Sequence, residues 1–141
     1  MELEFTREIM IHKTTNSLAF SLYEGERYAG IATDDTGRES HHIVLLPVQA
    51  DGMNLDQAWD WAEYNGGVLP TLVEWSALEE TLRDEFSANN YWTGNLESAG
   101  ANCMYVKIFN SLTSTYGRAM RDSKHHARAI RRVDLSGVPM D

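Results

Sequence analysis

The chain has 141 residues and a mass of 16.0 kDa, with 43% apolar, 23% charged and 10% aromatic side chains. That length suits one core rather than two, and a formal net charge of −9 argues against broad attraction to nucleic acid or anionic membranes, both of which need local positive charge. The charge is uneven, however: residues 1–100 hold five basic and eighteen acidic side chains, residues 101–141 seven and three.

A single cysteine, Cys103, excludes an intramolecular disulfide and hence a disulfide-stapled secreted scaffold. The start, Met1-Glu2-Leu3-Glu4-Phe5, lacks the basic and apolar regions of a signal peptide. The apolar run Ile43-Val44-Leu45-Leu46-Pro47-Val48 is far short of the ~20 residues of a spanning helix. The expectation is a soluble protein made in a reducing cytoplasm.

In chain order, Ser17–Tyr23 and Arg27–Ala32 alternate like strands around Glu24-Gly25-Glu26 and predict a hairpin. Thr33–Ser40 has turn composition, and His42–Val48 reads as a buried strand ending near Pro47. Asn54 with Gln57 forms a capping box for a first helix, whose stripe is Leu55, Ala58, Trp59 and Ala62; Asn65-Gly66-Gly67 stops it. Trp61 lies off that stripe. Thr71 with Glu74 repeats the box, with Leu72, Trp75, Leu78, Leu82 and Phe86 as the second stripe. Strands follow from Tyr91, over Asn102–Phe109, over Thr113–Met120, and over Ala127–Val133. The pattern predicts an α+β fold, two helices packed on a small, mostly antiparallel sheet. Residues 1–133 read as one domain: N-terminal strands and hairpin (1–50), two helices (54–87), and a sheet with a display region (89–133). A flexible tail, 134–141, follows.

Several separated motifs carry a likeness. Gly66-Gly67-Val68-Leu69-Pro70-Thr71, Glu74 on the following helix, Tyr91-Trp92-Thr93-Gly94 and Ala127-Arg128-Ala129-Ile130-Arg131-Arg132-Val133 occur in the order and spacing of the Lcl C-terminal domain family. Tyr28-Ala29-Gly30-Ile31 and His42-Ile43-Val44-Leu45-Leu46-Pro47 resemble its phage and prophage branch. The likeness spans about Gly25 to Val133. It departs where the family's AW and F-x-NG become Met104-Tyr105 and Phe109-Asn110-Ser111-Leu112, which puts the hairpin after Phe109 in question for want of a turn glycine. The resemblance implies a C-type-lectin-like fold that presents a variable surface, built from the later strands and loops, to protein or carbohydrate.

The residues point to binding rather than catalysis. Asp56, Asp60, Glu63, Glu79, Glu80, Asp84 and Glu85 read as solvated helix surface. His41-His42 and His125-His126 are strand neighbours that point to opposite faces, so neither pair chelates one ion. Asn95, Glu97 and Asn102 supply fewer oxygens than a tight calcium site takes. Cys103 has no assigned base, and no phosphate-cradling loop or nucleophile elbow is present. No enzyme activity, cofactor or metal is therefore expected. Alternation sends Arg128 and Arg132 to one face of the last strand with Ile130 and Arg131 to the other; some of the basic cluster should be structural, paired with acids of the helical half, and the remainder, especially Lys107, Arg118, Arg121 and Lys124, should form the binding surface.

The expected function is a non-enzymatic recognition module, phage- or prophage-encoded, that binds a macromolecule through its last third. A protein partner is favoured over a glycan; no nucleic-acid or membrane partner is expected, and a second copy of the chain remains an option. The binding face comprises Asn95, Glu97, Asn102, Tyr105, Lys107, Asn110, Thr113, Thr115, Tyr116, Arg118 and Lys124. The alternative is a small phage inhibitor of a host defence nuclease, with an acidic surface that mimics DNA. The expected location is the cytoplasm of a bacterial host, or the virion.

Overall fold

The computed structural model describes residues 6–13, 16–96 and 105–140. The fold is α+β. Strands β3 (Arg27–Thr33), β4 (Glu39–Met53), β5 (Asn90–Leu96), β6 (Tyr105–Asn110), β7 (Thr115–Met120) and β8 (His125–Asp134) form one sheet in the order β3-β4-β8-β5-β6-β7. Every neighbouring pair is antiparallel except β5 and β8, which meet in parallel at Tyr91 and His126. Strands β1 (Thr6–Lys13) and β2 (Asn16–Tyr23) pair with each other as a separate ribbon.

The strand alternation of β4 and β8 sorts the core into two faces. Ile43, Leu45 and Ile130 point toward helix α2 (Leu72–Leu82), where Trp75, Leu78 and Leu82 are buried with Tyr91 and Phe109. On the opposite face, Leu46, Ala127 and Ala129 meet helix α1 (Leu55–Tyr64) through Leu55, Ala58 and Ala62. Farther along that face Val44 and Val133 are covered by Phe20 and Leu22 of β2. Both helices begin as their capping boxes predict, with Asn54 and Gln57 exchanging side-chain and backbone hydrogen bonds, and Thr71 and Glu74 doing the same.

The predicted hairpin is corrected: β2 pairs with β1 and β3 with β4. Phe20 and Leu22 share a side of β2 and are buried on the sheet's second face, so the chain must turn a corner at residues 24–26 rather than fold back in plane. Gly25, at φ +85°, makes that corner, and an added Cβ there would lie 2.9 Å from the Pro47 side chain. The Arg131 guanidinium holds it, donating to Ser21 O at 2.8 Å and to both Glu26 carboxylate oxygens.

Three further expectations change. The strand expected to end near Pro47 continues to Met53, and the proline, which has no N–H to give, falls within a register shift between Leu45 and Gln49. The second helix stops at Leu82, and a single 3₁₀ turn, Arg83–Glu85, turns the Glu85 carbonyl and carboxylate toward Arg128. Residues 134–140, expected as a flexible tail, fold back: Met140 N–H donates to Arg132 O at 2.9 Å and Pro139 bridges to Val133.

One buried carboxylate ties the layers together. Glu74, 2% exposed, accepts Arg132 Nε at 2.6 Å and Nη2 at 2.8 Å, the Thr71 N–H at 2.9 Å, and stands 2.6 Å from His41 Nε2. Burial pushes its carboxyl pKa up, but the hydrogen bonds and charge of Arg132, with help from Thr71 and His41, outweigh burial and hold it below the ordinary 4.5. Its contribution is therefore complete above that value and is lost as pH falls through the lowered folded-state value. Replacing Glu74 with Gln should cost about 3 kcal/mol at neutral pH by leaving Arg132 without its counter-charge. In urea denaturation the gap between wild type and the variant should narrow steadily below pH 4.5. Gly67 gives a second check. An added Cβ would sit 2.5 Å from the Ile130 carbonyl oxygen, so Gly67→Ala should lower stability by about 2 kcal/mol in the same assay.

Candidate binding surface

The predicted display residues separate into three groups. Glu97 and Asn102, and with them Cys103, lie outside the described residues. Tyr105 and Lys107 are placed by backbone register, opposite Met120 and Arg118. The others are placed with their side chains.

Asn95 and Asn110 are structural. The Asn95 side-chain oxygen accepts the Leu72 N–H at 2.6 Å, serving an otherwise unpaired donor in the first turn of α2. Asn110 Oδ1 accepts the N–H groups of Leu112 (3.0 Å) and Thr113 (3.1 Å), while Asn110 Nδ2 donates to Asn90 Oδ1 at 2.7 Å. These bonds close the β6–β7 hairpin without a turn glycine. Ser114, at φ 56°, takes the left-handed position, and its hydroxyl is held by Glu79 and by Arg83 of the second helix's end. Thr113 and Thr115 share a hydroxyl hydrogen bond of 2.6 Å at the exposed tip.

Tyr116, Arg118 and Lys124 remain exposed. Tyr116 packs its ring 5.6 Å from Phe109 and its hydroxyl lies 3.1 Å from Ser76 Oγ, yet it is 44% exposed. With Arg118 and Met120 it forms one side of β7. Strand β7 is an edge of the sheet, and only Ala119 of its six residues is even partly buried. Its pairing with β6 runs in unbroken register from Thr115 to Met120. The opposite edge, β3, carries two register shifts and has Arg27 bound to Asp84 and Glu85.

Four basic residues of the last third have acidic or carbonyl partners inside the fold, and Arg121, expected on the binding surface, is one of them. Arg128 is buried and donates to the carbonyls of Val48 and Glu85, Arg131 pairs with Glu26, Arg132 with Glu74, and Arg121 with Asp56. Arg128 and Arg132 thus share the α2 face and Arg131 the other, as alternation predicts. The histidine neighbours also diverge: His41 reaches Glu74 while His42 Nδ1 lies 2.8 Å from the Tyr28 hydroxyl. His125 packs edge-on to Trp92, and burial, followed by the neighbouring His126, lowers its pKa. Among the described residues no three His, Cys, Asp or Glu side chains gather as a metal site, and no helix is long and apolar enough to cross a membrane.

Tyr91 is fully buried and accepts the Ser87 N–H. Trp59 was expected in the core but is 41% exposed, whereas Trp61 packs against the α1 cluster. Ala58 and Ala62 bring α1 close to the sheet and leave the two indoles on opposite flanks; the Trp59 flank opens on a cleft with Asp56, Asp60 and Arg121. Sequence reasoning missed that cleft, although the i, i+3, i+4 spacing of Asp56, Trp59 and Asp60 signals a shared face.

No family model, curated protein or solved structure matches the chain. The division between structural and surface residues is directly measurable. Asn110→Ala should lower stability by about 1–2 kcal/mol, because two backbone N–H groups lose their acceptor. Lys124→Ala should stay within about 0.5 kcal/mol of wild type in the same thermal melts.

Proposed function

We propose that the protein is a non-enzymatic recognition module, phage- or prophage-encoded, that binds a protein partner along β7. The observation that carries this reading is the regular, exposed edge strand. Its outer backbone groups face no strand among the described residues, and it presents Tyr116, Arg118 and Met120 beside Leu112, which is 70% exposed. Unblunted edges accept an added strand, with main-chain hydrogen bonds giving affinity and side chains giving selectivity. Arg118 and Lys124 suit an acidic segment. The C-type-lectin-like fold and membership of the Lcl C-terminal domain family belong to the same proposal. They are supported by the motif order and by two helices that back a sheet whose later strands form the free edge.

A second reading is favoured by α1, whose outer side exposes Asp56, Asp60 and Glu63: an inhibitor that offers carboxylates to the nucleic-acid groove of a host defence nuclease.

Affinity capture from infected or lysogenic cells tests the main reading, comparing wild type with a Tyr116→Ala/Arg118→Glu variant. At least one protein should be depleted about 30-fold or more, the loss expected from hot-spot residues worth 2 kcal/mol. A virion component would place the module in assembly or adsorption. A defence nuclease lost from the variant would make the inhibitor act through β7, and one retained would favour the acidic helix. Equal recovery of every protein would refute binding along β7.

A further inference from the structure

A cleft of about 350 Å3 lies between the start of α1 and the residue that follows β7, lined by Leu55, Asp56, Trp59, Asp60 and Arg121. Two main-chain and side-chain links give it fixed walls. The Leu55 N–H donates to Arg121 O at 3.0 Å, and Arg121 Nη2 donates to Asp56 Oδ1 at 2.9 Å. Leu55 is buried beneath, and Trp59 stands on the rim with 41% of its surface in water.

The charges are unequal across this cleft. Carboxylates four residues apart on a helix repel each other, and Arg121 offsets only the one at Asp56. Asp60 is exposed and has no ion pair among the described residues, so a net negative charge remains beside the indole. An aromatic face with an adjacent carboxylate attracts a cation that is large and weakly hydrated, and tryptophan is the best side chain for that purpose. A small inorganic ion would instead require several oxygen ligands converging at short range, which two carboxylates on one exposed helix face do not provide.

The geometry points to a binding site for an organic ammonium group, the indole of Trp59 receiving the cation on its face and Asp60 supplying the counter-charge. Leu55 and the indole cover the alkyl portion, while the Arg121–Asp56 pair forms the far wall and limits the site to a single positive charge. This site is separate from the surface formed by Tyr116 and Arg118, which strand alternation places on the α2 side of the sheet. The ammonium group has two natural sources, a lysine side chain of another protein or a small free quaternary amine.

Titration of the isotope-labelled protein, following the Trp59 indole N–H by NMR, separates these outcomes. The probes are Nα-acetyl-lysine methylamide and tetramethylammonium chloride, each measured against sodium chloride at equal ionic strength. A saturable shift with either probe, weakened about fivefold or more by Asp60→Asn, is the expected result. The tighter probe identifies the source: the lysine derivative a protein side chain, tetramethylammonium a free amine. No saturable shift beyond the salt control, or equal affinity in Asp60→Asn, overturns the assignment. Because Asp60 is exposed on the outer side of α1, its replacement leaves the fold in place for this measurement.

Discussion

The burial of one carboxylate organises this molecule. Glu74 reaches back to its own N-cap at Thr71 and across to Arg132 on β8 and His41 on β4, so a single side chain fixes where α2 starts and which strands it covers. Asn95 adds a third strand by accepting the Leu72 N–H from β5. Taking a charged group out of water is costly, and the cost is offset only when its oxygens are saturated by donors in good geometry. Here the bidentate guanidinium and the cap meet that demand. The adjacent Trp75 then falls among Phe86, Tyr91 and Phe109, with ring centroids about 5 Å away from its own. The aromatic core on this face follows from the polar anchor beside it.

The same logic accounts for the opposed charge of the two parts of the chain. Four arginines of residues 101–141 meet acids of residues 1–100: Arg121 with Asp56, Arg128 with Glu85, Arg131 with Glu26 and Arg132 with Glu74. The asymmetry is therefore largely complementarity within the fold. Its weight differs by position. Glu74 is removed from water and its bidentate pair with the partly buried Arg132 acts as a specific lock, whereas the exposed Arg121–Asp56 pair adds little to stability and instead shapes the wall of a cleft. Among the described residues, Arg118 and Lys124 are exposed on the basic side, and on the acidic side the outer face of α1 is.

Features set by local chemistry were legible in the sequence. The capping boxes at Asn54 and Thr71 place both helix starts, and alternation places Arg128 and Arg132 opposite Arg131. Features set by long-range competition were not. Whether β2 pairs with β3 depends on where Phe20 and Leu22 find an apolar surface, and that surface is assembled from Val44 and Val133, residues distant in the chain. Trp59 and Trp61 differ by which flank of α1 meets other elements, which spacing alone does not decide. Polar residues near the display region posed the same difficulty. Asn95 and Asn110 look like ligand contacts in the sequence, but their oxygens serve the backbone of α2 and of the β6–β7 turn.

The two edges of the sheet show how a binding surface arises from this scaffold. At β3 the bulges and the Arg27 ion pairs interrupt a continuous row of outward backbone groups, and Thr81 Oγ1 takes the Ala29 carbonyl. At β7 no comparable interruption occurs, yet the strand is not loose. Its tip is clasped by Ser76 and Glu79 of α2 and by Arg83 of the turn that follows, which contact Tyr116 and Ser114. An edge already held in register loses less conformational freedom when another strand docks. This polar clasp therefore does two things at once. It closes the hairpin despite the left-handed Ser114, and it holds the exposed row of Tyr116, Arg118 and Met120 in an extended form that a partner need not impose.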